Sequence, residues 1–307
     1  MSSDNKTDSK VIPLSVNYHF TRVCNYKCGF CFHTQKNTYK LPIEDAIRGL
    51  YLLKKAGTKK INFAGGEPFC FPDYLGKLIQ ECKENIKFDK LSIITNGSLV
   101  TKNFFEKYGK YIDIFGVSCD SFNKETNIKI GRGKTGDNVE KLFELRQLCK
   151  DYGIKFKLNT VVCKYNKDEN MVDYIKKLNP DRWKVFQVLM VKGENDNSDR
   201  LRNVTEFQIT DEEFNKFIER HKEIEYMVPE SNESMKSSYL ILDEEMRFLE
   251  KGVGEEFCSE SILDVGVEKA IQSVVFNEKE FKNRKGDYWM NDFDSAKCGD
   301  KDKKYDF

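Results

Sequence analysis

No apolar run in these 307 residues approaches the roughly 20 that a membrane-spanning helix needs. The opening MSSDNKTDSK is polar and has no hydrophobic centre, which excludes a secretory signal or an amphipathic membrane anchor there. Residues 1–12 are expected to be a disordered lead. An excess of one charge is missing too: 51 Lys and Arg face 50 Asp and Glu. A general polyanion binder is usually more basic, so nucleic acid is not an expected partner, although local basic clusters can hold a small anion. The chain also lacks internal repeats beyond the βα unit and low-complexity tracts. It does have ten cysteines without any mark of secretion. That combination points to a reducing, cytoplasmic setting in which some thiols ligate metal and others are buried.

With 39% hydrophobic and 33% charged residues, the composition suits a soluble globular enzyme. From Val11 to about Leu189, short β-rich runs alternate with segments of helical periodicity. The runs are PLSVNYHF, KKINFAGG, LSIITNGS, IDIFGVSC, KFKLNTVV and RWKVFQVL. Between them lie PIEDAIRGLYLLKKAG, YLGKLIQECKEN, TKNFFEKYGKY, NVEKLFELRQLCKDYG and DENMVDYIKKLN. This order predicts an α/β fold with a parallel sheet and right-handed crossovers, either open or curled into a barrel. In both, functional residues belong where strands end and loops begin. After Leu189 the rhythm changes. DEEFNKFIERHKEI reads as a helix, SSYLILDEEMRFLEK as a hairpin or a strand followed by a helix, and VGVEKAIQSVVF as a helix. The stretch from Asn283 to Phe307 is polar with scattered aromatics and is expected to be weakly structured or ordered by a ligand or partner.

VCNYKCGFCFH, directly after the first predicted strand, places Cys24, Cys28 and Cys31 within eight positions. Three clustered thiolates can hold three irons of a 4Fe–4S cluster. The fourth iron is then left for a small molecule with amine and carboxylate groups. A Cys3His zinc site using His33 is the alternative, at a spacing tighter than zinc ligands usually adopt. The cysteines at 70, 82, 119, 149, 163, 258 and 298 are scattered, as buried or inert thiols are, and His19 and His221 are expected to be structural. One βα unit later, NFAGGEPF ends the second strand. Gly65 and Gly66 permit close backbone approach, Glu67 brings a carboxylate and Pro68 stiffens the turn.

The Cys-x3-Cys-x2-Cys loop and the GGEP turn together resemble the radical S-adenosylmethionine (SAM) superfamily. Further blocks, SCDSF, IGRG, RWKVFQ, VPESN, SYLILDE and SILDVGVE, are similar to its antiviral nucleotide dehydratase family. The similarity runs from about Pro13 to Phe276. It implies a partial (β/α)6 TIM-like barrel over 13–190, with a C-terminal extension over 191–307 that completes the substrate site. It also implies a 4Fe–4S cluster and SAM as cofactors, a 5′-deoxyadenosyl radical that takes the ribose 4′ hydrogen of CTP, and a 3′-deoxy-3′,4′-didehydro product that terminates viral polymerases. UTP or another triphosphate is the alternative substrate. Rival readings are a peptide-modifying radical SAM enzyme, although no extra cysteine-rich region is present for auxiliary clusters, and a metal-stabilised scaffold without catalysis.

By matched blocks, the resemblance implies that Gly65, Gly66 and Glu67 hold the SAM amino group, while Ser118 and Arg132 contact SAM, the arginine pairing with its carboxylate. Lys157 and Asn159 on one face of strand five, and Arg182 and Lys184 on one face of strand six, would converge at the barrel mouth on a triphosphate. Glu230 would accept from a ribose hydroxyl, Tyr239 would donate a proton or hydrogen late in the reaction, and Asn17 would approach the nucleobase. An electron donor is required. The amphipathic N-terminal extension of animal family members is missing, so membrane attachment is not expected. EKGVGEEFCSE is acidic where vertebrate members are rich in Lys and Arg. The terminal YDF resembles tails that meet cytosolic iron–sulfur assembly factors, with Phe307 in place of the family's Trp.

Overall fold

Strands and helices alternate from β1 (Ser15–His19) through α1 (Ile43–Lys55), β2 (Lys60–Ala64), α2 (Pro72–Glu84), β3 (Lys90–Thr95) and α3 (Lys102–Tyr108). They continue through β4 (Ile114–Ser118), α4 (Lys124–Ile130), α5 (Asn138–Asp151), β5 (Lys155–Val162), α6 (Val172–Leu178), β6 (Arg182–Gln187) and α7 (Asp211–Arg220). The structure is a computed structural model and describes residues 11–136, 138–250 and 257–289. The N-terminal lead up to residue 10, the acidic segment at 251–256 and the tail from 290, with Cys298 and Phe307, lie outside the described residues.

β1 to β6 pair in sequence order, all parallel. The segment after 190 joins the same sheet at both edges. β7 (Met227–Glu230) pairs parallel with β6, and β8 (Leu240–Leu242) pairs parallel with β1. β9 (Arg247–Glu250) and β10 (Phe257–Ser261) follow antiparallel. SSYLILDEEMRFLEK is therefore a hairpin. VGVEKAIQSVVF is not one helix: Val265 ends the short helix Ile262–Val265, and a second runs over Val267–Ile271. KETNIKI, unassigned in the sequence, forms α4, capped by the Asn123 side chain and closed by Gly131 in the left-handed region.

The period of two along each strand separates two environments. One face turns Val16, Tyr18, Ile61, Phe63, Phe115, Phe156, Leu158, Trp183 and Val185 into a continuous core with the outer helices. Each such burial is worth about 1.5–3 kcal/mol. α1 meets that core with Ala46, Leu50 and Leu53 at helical spacing. The opposite face carries Ser15, Asn17, Lys60, Asn62, Lys157, Asn159, Arg182 and Lys184, and these side chains surround one cavity of about 380 Å³. Because residues of β1, β2, β4, β5, β6 and β8 all line it, the sheet curls round that cavity as a partial barrel. No described helix is long and apolar enough to cross a membrane.

Candidate active site

The cysteine loop leaves the C-terminal end of β1 and is braced from two directions. The Gly29 amide donates to Ile130 O at 2.9 Å and the Lys27 amide to Gly131 O at 3.3 Å, so the end of α4 supports its middle. The GGEP turn supports its start: Gly66 N donates to Thr21 O and Glu67 N to Val23 O, both at 2.8 Å. A Cβ on Gly66 would lie 2.1 Å from Val23 O, and Gly65 has φ +128°. The two glycines are thus required by the chain's own backbone, before any ligand approaches.

Cys24, Cys28 and Cys31 all line the cavity, with Gly65, Gly66, Ser118 and Arg132. None of the three cysteines is in a disulfide. Burial pushes each thiol up to about 11, and Arg132 pulls each back in part. Arg132 is held by Asp120, with Nε 2.5 Å from Oδ2, while Asp120 Oδ1 accepts from the Val161 amide at 2.9 Å. Burial opposes the arginine's charge, but Asp120 overrides it and the pKa rises. His33, the alternative zinc ligand, is buried with its ring edge-on to His19 at 4.5 Å. Among the described residues no three His, Cys, Asp or Glu side chains close on a single-ion point. Three unpaired thiols on one cavity wall fit a group in which each sulfur takes a different metal.

Below this rim the polar face descends in registered pairs. Ser118 pairs with Asn159 and Asn159 with Lys184; one step lower, Gly116 pairs with Lys157 and Lys157 with Arg182. Gly116 leaves the space that Lys157 uses, since a Cβ there would meet Lys157 Cε at 2.9 Å. On the other side Lys60 begins β2, with Asn62 pairing with Asn17 above it. The cations therefore lie in the N-terminal halves of their strands, deep in the barrel, and not at its mouth as the sequence suggested. Ten Lys and Arg side chains line the cavity and, among the described residues, no Asp or Glu does. Burial, then neighbouring cations, lower Lys60 to about 7 and Lys157 well below its usual value. Lys184 also falls to about 7, mainly by burial, although Glu230 opposes the shift. Asn159 Oδ1 and the Nε of Arg182 and Arg284 are buried without hydrogen-bond partners among the described residues.

Two sequence candidates stand behind the wall. The Glu67 carboxylate is buried, accepting from Phe69 N at 3.0 Å, Thr95 Oγ1 at 2.6 Å and Asn96 N at 2.7 Å, which ties the GGEP turn to the end of β3. Glu230, also buried, accepts from Lys184 Nζ and from the Tyr239 hydroxyl at 2.6 Å. Burial alone would raise its pKa, but Lys184 and Arg284 hold it below the ordinary carboxylate value. Tyr239 lines the cavity, and burial raises its pKa so that it keeps its proton.

Sequence reasoning missed Lys60 and the segment Arg284–Trp289. The stretch from Asn283, expected to be weakly structured, instead forms cavity wall as far as it is described. Arg182 donates to Lys285 O and Arg284 O at 3.0 Å each, and the Arg284 guanidinium stacks 3.6 Å from the Tyr239 ring centre. A strand-initial lysine with two-residue spacing to Asn62 was the available signal for Lys60. No local pattern marked Arg284, whose cavity-side partners Tyr239, Ser238 and Arg182 lie 45 or more positions away. His221 is structural, as expected: Nδ1 faces Phe217 O at 2.7 Å and Nε2 accepts from Met171 N at 2.9 Å.

The Radical SAM superfamily profile matches residues 18–178. Over 285 residues the chain is 51% identical to the S-adenosylmethionine-dependent nucleotide dehydratase RSAD2 of Oncorhynchus mykiss, covering 92% of this chain and 82% of that protein. It is 52% identical over 279 residues to the protein of the same name from Danio rerio, covering 90% and 78%. Among solved structures, anSMEcpe with bound AdoMet superposes with a TM-score of 0.65 over 88% of this chain and 82% of that one. At 15% identity this is a likeness of fold.

Proposed function

The chain belongs to the radical SAM superfamily and, within it, to the S-adenosylmethionine-dependent nucleotide dehydratases, and from that premise we propose that it converts CTP to the 3′-deoxy-3′,4′-didehydro triphosphate. Its cofactors are a 4Fe–4S cluster and SAM, which when bound and reduced supply the 5′-deoxyadenosyl radical that takes the ribose 4′ hydrogen. Cys24, Cys28 and Cys31 hold the cluster. Gly65, Gly66, Ser118 and Arg132 face SAM, and Glu67 fixes the turn that presents the glycines. Lys60, Lys157, Arg182, Lys184 and Arg284 take the triphosphate, and Asn159 faces the sugar. The observation that carries the reading is a cavity lined by ten cations and no described carboxylate beneath three unpaired thiols. Arg22, Arg132 and Lys184 are paired with carboxylates behind the wall, but Lys60, Lys157, Arg182 and Arg284 make no ion pair among the described residues, and buried cations of that kind are costly unless a polyanion meets them.

Glu230 orients Tyr239, whose protonated hydroxyl would give the proton with which the 3′ hydroxyl leaves as water, while an external donor supplies the electron that closes the 3′,4′ double bond. Asn17 selects the base. Its Nδ2 already donates to Leu240 O at 3.3 Å, which leaves Oδ1 as an acceptor for the exocyclic amine of cytosine, where uracil offers only another acceptor. The described residues beyond 190 complete the substrate site through Arg202, Tyr239 and Arg284. The product, lacking a 3′ hydroxyl, ends a growing viral chain. An external one-electron donor, a cytoplasmic location and iron–sulfur assembly factors acting through the tail belong to the same reading, supported by the lack of any disulfide among the described cysteines.

The test is anaerobic reconstitution followed by SAM, dithionite and each nucleoside triphosphate in turn. CTP is expected to raise 5′-deoxyadenosine most and to yield a product one water lighter. If no triphosphate raises it while the cluster is intact, the assignment fails. A preference for UTP moves the base assignment alone.

A further inference from the structure

The cysteine loop is held from a third direction, by residues beyond the stretch that the superfamily profile matches. Arg22, just before the loop, is buried and joins three separate segments. Its Nε donates to Glu244 Oε1 at 2.8 Å, and its Nη1 donates to Glu194 Oε1 and Thr34 O at 3.2 Å each. Glu194 Oε2 in turn accepts from Thr34 Oγ1 at 3.2 Å, at the far end of the loop. The next residue, Asn195, is fully buried and donates from Nδ2 to Phe30 O at 2.9 Å, between Cys28 and Cys31. Asn195 is itself set by the Val191 amide, which donates to its Oδ1 at 2.8 Å.

Glu194 and Asn195 follow β6, and Glu244 lies in the β8–β9 turn. One buried arginine and one buried amide thus connect the start, middle and end of the cysteine loop to two distant segments. Buried ion pairs of this kind contribute little net stability but impose one geometry. A cluster needs its three sulfurs held in a fixed arrangement, because the ligating side chains are positioned by the shell around them.

We propose that Arg22, Glu194, Asn195 and Glu244 form a positioning clamp that holds the cysteine loop in cluster-accepting shape. The inference rests on the reading of Cys24, Cys28 and Cys31 as cluster ligands. None of the four clamp residues ligates the cluster; they act through the loop backbone.

The test uses the full chain carrying Asn195→Asp, which keeps the acceptor for Val191 N and removes the donor to Phe30 O and to Leu189 O, and separately Glu194→Gln, which leaves both of those bonds in place. Two readouts are followed against the wild type: amide hydrogen exchange over residues 23–35 before cluster loading, and chelator-driven iron loss after loading. Each variant is expected to raise exchange in 23–35 by about tenfold, as loss of a buried hydrogen bond allows, with the remaining amides unchanged. Iron loss is expected to accelerate by a similar factor. Arg22→Lys, which keeps the charge but cannot bridge both carboxylates, is expected to fall between wild type and Arg22→Met. Unchanged exchange and unchanged iron loss in both Asn195→Asp and Glu194→Gln would overturn the clamp. A uniform rise in exchange over the whole chain would also overturn it, by showing a general structural role. A wild-type chain that takes up no cluster would instead remove the ligand reading on which the clamp rests.

Discussion

The strongest quantitative consequence of the proposed triphosphate site is a steep pH dependence of binding. Lys60 and Lys184 are held near pH 7 in the empty site, by burial first and by neighbouring cations after it. An arriving triphosphate needs both charged and raises their pKa again. For a lysine whose folded pKa lies below its ordinary value, the charged form is fully present below about pH 7 and is lost as pH rises through it. The population factor grows from about 2 at pH 7 to about 11 at pH 8, so affinity weakens about fivefold through Lys60, and Lys184, which is ion-paired with Glu230, adds to the loss in the same direction. Binding at pH 8 should take up about 0.9 proton per lysine. Isothermal titration of CTP into cluster-loaded, unreduced enzyme, in two buffers of different ionisation heat, measures both quantities. Lys60→Met should weaken binding at pH 7 and remove about one proton from the uptake at pH 8. A dissociation constant that is flat between pH 7 and 8 with no proton uptake would refute the reasoning. The same groups set a stability trend in the opposite sense. The ligand-free fold prefers neutral lysines that are charged when unfolded, so it should grow more stable as pH rises from about 7 towards 10, as read by thermal melting.

Cys28→Ala should lower the iron content after reconstitution and abolish SAM cleavage; full iron with retained cleavage would remove it from the ligand set. Asp120→Asn weakens the hold on Arg132 and should weaken SAM binding about tenfold or more in equilibrium dialysis, with CTP binding unchanged. Gly66→Ala drives a Cβ to 2.1 Å from Val23 O, so the GGEP turn must move away from the cysteine loop; a loss of about 1–3 kcal/mol in urea titration and poor cluster retention are expected. His221 is held neutral by burial, with Nε2 accepting from Met171 N. Its folded pKa lies below the ordinary value, so the urea midpoint should drop as pH falls below about 6.5 and level off once the folded group also protonates.

The sequence revealed the rim of the site more readily than its floor. Cys24, Cys28 and Cys31 lie within eight residues, and Gly65 to Pro68 are contiguous, so spacing alone brought their chemistry together. Lys157 with Asn159 and Arg182 with Lys184 were legible because a strand puts alternate residues on one face. Their depth was not, since it depends on register between strands, and Lys157 level with Arg182 is a tertiary fact. Arg284 was invisible for the same reason: it reaches the cavity only because Arg182 grips the carbonyls of residues 284 and 285. Glu67 was placed at the cofactor by resemblance to the GGEP motif; what the sequence did not reveal is that its carboxylate accepts from three donors, in its own turn and at the end of β3.

That depth also explains how the fold tolerates its own active site. A buried lysine moved from 10.5 to about 7 costs about 4 kcal/mol at neutral pH, and Lys60 and Lys184 both carry this penalty. Each lies on a strand whose opposite face is fully buried: Ile61 and Phe63 beside Lys60, Trp183 and Val185 beside Lys184. Burying two such side chains contributes about 3–6 kcal/mol per strand, enough to offset the lysine that the same strand points inward. Period-two alternation therefore does two jobs at once, anchoring the strand outward and presenting a strained cation inward. Removing the outer anchor should release that balance: Trp183→Ala ought to destabilise the ligand-free protein by about 3–5 kcal/mol. Saturating triphosphate should recover part of that loss, because the ligand relieves the desolvated lysines that the lost side chain had been supporting.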